Sequence, residues 1–358
     1  MVKQGKRKVT AVFVLLMIMT MLPQGLLSFQ REAFATSNVK IGDYVQFGKY
    51  LNKPILWRVI NIEEDGSPML LSEKILCLKP FDASESGKAG ESGGKYTTEL
   101  LRQEFGSGKW ENSNIREWLN SKDAVVKYTT QPPTKATIWS GFNDYATEAG
   151  FLSNFSETER NMIKPVIRKS ILHILDKDEK DGGTEFHRAD YSVSSCVTNY
   201  DSAYYKNLSD QVYLIGVKEL HDYVYSRGWE NSKMPTKEAV NESDYKNSTE
   251  LSDKKYWFYW LSTAATEHPH YSRIVTNEGC PYMHFAHYAS GGVVPALNVK
   301  SGVVASGAGT ISNPYLLGTG KNKTAVLTII IGAIALLSIV GVGFARKKKI
   351  EVGGKSQE

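Results

Sequence analysis

The chain has 358 residues, 41% hydrophobic and 11% aromatic, with 43 Lys and Arg against 38 Asp and Glu. The basic excess sits at the ends. Residues 1–35 hold five basic and one acidic residue and residues 345–358 five and two, which leaves 33 basic and 35 acidic residues between them. That central stretch, with a net charge near −2, is no polycation, which argues against nucleic acid as a partner.

In chain order, Lys3, Lys6, Arg7 and Lys8 precede an apolar run from Val9 to Leu22, which Pro23 and Gly25 break. Ala33-Phe34-Ala35 then offers small residues at both positions of a signal-peptidase site. This predicts a signal peptide over 1–35. An uncleaved anchor is the alternative, but the run is short for a spanning helix.

Residues 36–300 read as one extracellular α+β domain of short strands, long Gly/Asn/Ser loops and few short helices. Strands are predicted at Asp43–Phe47, Ile55–Ile62 and Met69–Ser72, the last two as a hairpin across Glu64-Asp65-Gly66. Lys79–Lys95 reads as a loop. A short helix opens at Asn112 or Ser113 and runs to Asn120, with Ile115, Trp118 and Leu119 on one face. Ser156 and Glu159 have capping-box spacing. Val212–Ile215 reads as a strand, Val217–Tyr225 as a helix stopped by Gly228, and Tyr256–Leu261 as a buried strand. Ile274–Thr276 and Gly292–Leu297 read as the last two strands.

Ser301–Lys323, rich in Gly and Ser, reads as a stalk. Thr324–Phe344 is uncharged and long enough to cross a bilayer, and Arg346, Lys347, Lys348 and Lys349 follow it. This predicts a single transmembrane helix, an outward-facing domain and a basic cytoplasmic tail over 345–358. Leu316-Leu317-Gly318-Thr319-Gly320 is similar to a sortase sorting signal, with Leu317 where proline belongs, so membrane retention is favoured over wall attachment.

Cys77, Cys196 and Cys280 are odd in number and lack metal or redox spacing, so they read mostly as buried apolar residues, with room for one disulfide. No P-loop, dinucleotide fingerprint, nucleophile elbow or HExxH is present. Asp176–Gly182 has the look of a calcium loop but lacks its ligand pattern, and reads as a solvated charged loop. Two constellations carry chemistry. Glu267, His268, His270, His284 and His287 crowd into one stretch and could supply zinc ligands, although no standard spacing matches. Trp260, Tyr271, Tyr282 and Tyr288, with Trp257 and Tyr259 nearby, could form a sugar-stacking surface. Alternation sends only one of Trp257 and Trp260 inward, so at least one is core. Trp57, Trp118 and Leu119 read as core too, and Arg58 and Arg116 as structural ion-pair partners of carboxylates such as Asp43 or Glu117.

The motifs IGDYVQFGKY (41–50), PILWRVI (54–60), MLLS (69–72), WENSNIREWLN (110–120), SDQVYLIGVKEL (209–220), YWLS (259–262), GGVVPAL (291–297) and GTISNPY (309–315) follow one another in a specific order. In that order the chain resembles a domain-of-unknown-function family of secreted Gram-positive proteins, marked by WRVL, "W..S.iR.WLN", "D.vfLLS..E", "WWLRSP" and "GVRPAL" segments. The resemblance implies a C-type-lectin-like, sulfatase-modifying-factor type of fold, and no established activity. Tyr259–Thr263 lacks the family's Arg and Pro, Val294 stands where Arg is typical, and Thr130–Asp144 and Lys177–Tyr205 look like insertions.

The expectation is therefore a membrane-tethered surface protein that binds a glycan, wall polymer or protein without catalysis. A metal-dependent enzyme or metal-binding protein built on the His268–His287 cluster and a structural envelope component are the alternatives. No cofactor is named by the sequence.

Overall fold

A computed structural model describes residues 39–85, 98–139, 141–188 and 190–318. The expected signal peptide, transmembrane helix and basic tail lie outside the described residues. Among those described, no helix is long and apolar enough to cross a membrane.

The architecture is mixed α+β, with two curled half-barrel sheets and few short helices. The larger sheet is built on β1 (Tyr44–Tyr50), β2 (Lys53–Ile62) and β3 (Pro68–Ser72). These form an antiparallel meander, with Val45 opposite Trp57 and Val59 opposite Leu70. The hairpin expected across Glu64-Asp65-Gly66 is present, with Gly66 at φ 79°. A register break in β1 falls around Gly48, at φ 65°. Its missing Cβ also leaves room for the Phe155 ring, 2.1 Å from where that atom would sit.

β4 (Cys77–Leu78) leaves this meander for the smaller sheet. Helix α1 (Thr98–Phe105) follows, then α2 (Asn114–Asn120). The Ser113 side chain caps α2 by accepting from Arg116 N, and Ile115, Trp118 and Leu119 are buried on its inner face as the spacing predicts. Helix α3 (Glu157–Met162) carries the full capping box of Ser156 and Glu159. β5 (Ile163–Lys164) and β6 (Val166–Ile171) follow, and β6 pairs with β7 (Tyr205–Asp210) in a separate ribbon. β8 (Val212–Leu214) leads into α4 (Val217–Glu219), which widens into a π turn at Leu220–Val224 and ends at Gly228 in the left-handed region. Helix α5 (Lys237–Glu242) precedes β9 (Tyr259–Ala264), β10 (Tyr271–Val275) and β11 (Pro281–Phe285), the smaller sheet's antiparallel core.

The single strand expected over Gly292–Leu297 is two. β12 (Gly292–Val293) pairs with β9 and β4, whereas β13 (Pro295–Val299) pairs with β3, β5 and β8 in the larger sheet. Pro295 has no N–H to donate and stands first in its strand, where that loss is tolerated. The chain therefore changes sheets at Val294, and one hydrophobic core, with Trp57, Leu70, Trp260 and Leu297 in it, joins the two. The buried strand expected at Tyr256–Leu261 starts three residues later, leaving Tyr256 exposed.

The stalk expected over 301–323 begins inside the fold. β14 (Val304–Ser306) and β15 (Tyr315–Gly318) extend the larger sheet, and β15 runs parallel to β1 with Val45 opposite Tyr315. Backbone pairing holds this Gly/Ser-rich stretch where composition alone suggests a linker; residues 319–323 lie outside the described ones.

Candidate functional site: an aromatic face on the smaller sheet

The pairing of β10 with β11 sets Tyr271 opposite Phe285 and Ser272 opposite His284. Tyr271 and Phe285 stack with ring centroids 4.5 Å apart. The 130–144 stretch, which reads as an insertion, lies against this edge. Trp139 N donates to His287 O at 2.9 Å, and the Trp139 ring sits 5.9 Å from Phe285 and 6.0 Å from Tyr288. From Tyr288 the band continues through His284 (4.1 Å, stacked), Phe258 (5.7 Å), Trp257 (5.6 Å), Tyr245 (6.0 Å) and Phe142 (6.2 Å). Trp139 is 45% exposed and Phe142 38%, while Tyr271, Phe258, Trp257 and Tyr288 are half-buried. The result is a run of neighbouring rings, of which Trp139 and Phe142 are the most open to solvent.

Of the four aromatic residues expected to stack on a ligand, Tyr271 and Tyr288 belong to this band. Tyr282 is 49% exposed and lies instead against Tyr191, with the two rings tilted and their centroids 5.0 Å apart. Trp260 is core, which corrects its expected role. It is fully buried, its Nε1 donates to Lys79 O at 2.8 Å, and a Cβ on Gly291 would lie 1.9 Å from that nitrogen. Neither face of its ring can meet a ligand. Trp57, Trp118 and Leu119 are buried, as expected.

The histidines serve packing. His270 lies 5.3 Å from Phe105 and 5.5 Å from Phe285, and His287 lies 5.4 Å from Phe105 and 5.7 Å from Trp139. His284 is in β11 while His287 lies beyond its end, so the two do not share a helical turn. His268 faces His270 with ring centroids 6.2 Å apart, and Glu267 is exposed. Among the described residues, no group of three or more His, Cys, Asp or Glu side chains is arranged to hold a metal ion, so the expected zinc set of Glu267, His268, His270, His284 and His287 does not assemble. Burial pulls His270, His284 and His287 down to about 4, leaving neutral imidazoles between the aromatic rings at pH 7.

Other charged groups are structural. Asp176 is no solvated loop residue: it is buried and takes two hydrogen bonds from Arg102, at 2.8 and 2.6 Å. Arg116 pairs with Asp210, where Glu117 or Asp43 was expected, and Arg58 lies 3.6 Å over the Trp229 ring. The three cysteines are free, Cys77 and Cys196 buried and Cys280 exposed. A cavity of about 570 Å³, invisible in the sequence, opens beside β6 and α4. Arg168 there pairs with Glu219, donates to Leu214 O at 3.1 Å and covers the Tyr213 ring at 3.9 Å. Tyr213 Oη donates to Asn298 Oδ1 at 2.6 Å, so the polar groups of this wall are already satisfied by one another.

The model of the family described as "Domain of unknown function (DUF6273)" matches residues 65–301, about two thirds of the chain. The chain belongs to that family. The match takes in β3 through β13 and leaves out β1, β2, β14 and β15. No curated protein and no solved structure matches the chain.

Proposed function

We propose that this DUF6273 protein is a membrane-tethered surface protein whose folded region binds a glycan of the cell envelope without catalysis. The observation that carries the reading is the band of rings from Tyr271 through Trp139 and Tyr288 to Phe142, half open to solvent. Aromatic faces offer an apolar body to sugar C–H groups, and tyrosine keeps a polar tip for a hydroxyl.

The tether is supported by the sequence alone: the apolar runs 9–22 and 324–344, with their basic flanks, fit a signal peptide and a membrane helix. The kinship with the C-type-lectin-like fold is carried as part of this proposal and rests on the order of the motifs. The test is retention of the purified full-length chain on immobilised envelope polysaccharides, with cell fractionation for the tether. Retention competed by soluble sugar supports the reading; no retention on any polysaccharide, or recovery in the cytoplasmic fraction, sinks it.

A further inference from the structure

β6 pairs with β7 alone, in a two-stranded ribbon. In an antiparallel pair, residues alternate between bonding the partner strand and pointing their N–H and C=O away from it. Leu172 N donates to Tyr204 O at 2.9 Å, which sets the phase: Val166, Arg168 and Ser170 bond β7, while Ile167, Lys169 and Ile171 turn outward. The far edge of β7 has the matching phase and is covered. Tyr205 N donates to Gly182 O at 3.1 Å, Asn207 N to Asp181 Oδ2 at 2.7 Å, and Ser209 O accepts from Arg116 Nη2 at 3.2 Å. The far edge of β6 is not covered. Among the described residues, the N–H and C=O of Ile167 and the N–H of Lys169 make no hydrogen bond, and Lys169 O accepts only from Tyr200 Oη, at 3.5 Å.

That edge faces the cavity of about 570 Å³, which residues 164–169 line together with Met69, Tyr200 and Tyr223, and no residue of β7. An uncovered strand edge is a template for a further strand, which proteins otherwise cover or blunt. Pro165 blunts this edge only at its start. Ile167, 77% exposed, is the most exposed large apolar side chain among the described residues, and it shares a face of β6 with Lys169. Lys169 Nζ donates to Tyr200 O at 3.0 Å and to Asp201 O at 2.9 Å, which leaves one of its three donors over. The other cations on the wall have carboxylate partners: Lys164 has Asp65, Arg168 has Glu219 and Lys218 has Asp222. Lys169 has none among the described residues. The stretch 164–171 holds three basic residues and no acidic one. A second copy of β6 laid on this edge would therefore set basic residues against basic ones, whereas an acidic strand is complementary to it.

We infer that the outer edge of β6 takes up an extended acidic peptide as an added strand. The peptide backbone pairs with the outward N–H and C=O groups of Ile167 and Lys169. An apolar side chain of the peptide lies beside Ile167, and an acidic one two positions away meets Lys169 on the same face. The site is independent of the aromatic face and of the glycan reading.

The test is binding of the purified full-length chain to an array of acetylated heptapeptide amides, Ser and Thr throughout except at the third and fifth positions, which vary among Val, Phe, Ala, Glu and Lys. Peptides with an apolar residue at one of these positions and Glu at the other are retained, in the order that the strand direction sets. In solution titration of the best of them, Lys in place of Glu weakens binding at least tenfold. N-methylation of alternate peptide residues separates the two edges of the added strand: one set abolishes binding and the other spares it. Ile167→Pro removes an N–H that β7 does not use and weakens binding at least tenfold. Should that variant fail to fold, the N-methyl series carries the test. No retained peptide, equal effects of the two N-methyl sets, wild-type affinity in Ile167→Pro, displacement of the peptide by envelope polysaccharide fragments, or a dimer of the free chain that Ile167→Pro dissolves each overturns the assignment.

Discussion

Asp210 accepts from Trp110 Nε1 at 3.0 Å through one carboxylate oxygen and from Arg116 Nε at 2.7 Å through the other, with its side chain fully buried. One carboxylate thus ties α2 and the turn before it to the end of β7. Removing it leaves the buried indole N–H and Arg116 Nε without their acceptor, while the guanidinium still donates to Glu111 O and Ser209 O. Asp210→Ala is expected to cost about 3 kcal/mol, the low end for a broken buried pair because Arg116 keeps some access to water. Urea denaturation checks this, and a loss under about 1 kcal/mol would show that the pair is replaced by solvent.

The buried histidines give the fold an acid limit. His173, His187, His270, His284 and His287 are each lowered to about 4, burial being the largest cause in every case. The folded state holds these protons less tightly than the unfolded chain, in which histidine titrates near 6.5. Their contribution is therefore complete above pH 6.5 and is lost as pH falls toward 4, by up to ~1.4 kcal/mol per pH unit for each group. Asp82 runs the other way. Burial raises it to about 7, so its contribution is full below about 3.8 and lost as pH rises through 7. Glu117 is likewise raised by burial, and five histidines against these two carboxylates set the sign: melting temperature declines between pH 6.5 and 4. A flat profile there would contradict the burial of these imidazoles.

Trp260 and Trp139 are expected to separate packing from binding. Trp260→Ala empties a fully buried site and is expected to cost ~3–5 kcal/mol. Trp139→Ala, at a position 45% exposed, is expected to cost no more than about 1 kcal/mol. Thermal melts of the two variants decide it; equal losses would mean that Trp139 belongs to the core.

Ser156→Ala removes the half of the capping box on α3 in which Ser156 Oγ takes the Glu159 N–H at 3.2 Å, and leaves the half in which the backbone N–H of residue 156 donates to the Glu159 carboxylate. The expected loss is about 1 kcal/mol. Ser156→Asp keeps an acceptor at the cap and should recover most of it in the same denaturation experiment.

What was legible in the sequence was local. The caps at Ser113 and Ser156, the hairpin from β2 to β3 and the buried face of α2 depend on residues within a few positions of one another. Pairing between distant segments was not legible. Gly292–Leu297 reads as one apolar run, and only the partners on either side, β4 and β9 against β3 and β8, divide it at Val294. The stretch 301–318 has a linker's composition and is held by a parallel partner more than 250 positions earlier. Of the candidate site, Tyr271 and Tyr288 were legible because aromatic residues crowd that stretch. Trp139 was not, since it arrives from a segment that reads as an insertion. The histidines are close in sequence, and what the sequence does not show is that the rings of His270 and His284 pack against Phe105, Phe258 and Phe285.

Carbohydrate binding by the aromatic face is the proposal on which the functional reading stands. Its most direct test is calorimetric titration of the full-length chain and of its Trp139→Ala variant with soluble fragments of whichever envelope polysaccharide retains the wild type. At least a tenfold loss of affinity is expected in the variant, with its melting temperature nearly unchanged. Undiminished binding by Trp139→Ala, or no binding by the wild type to any fragment, would contradict it.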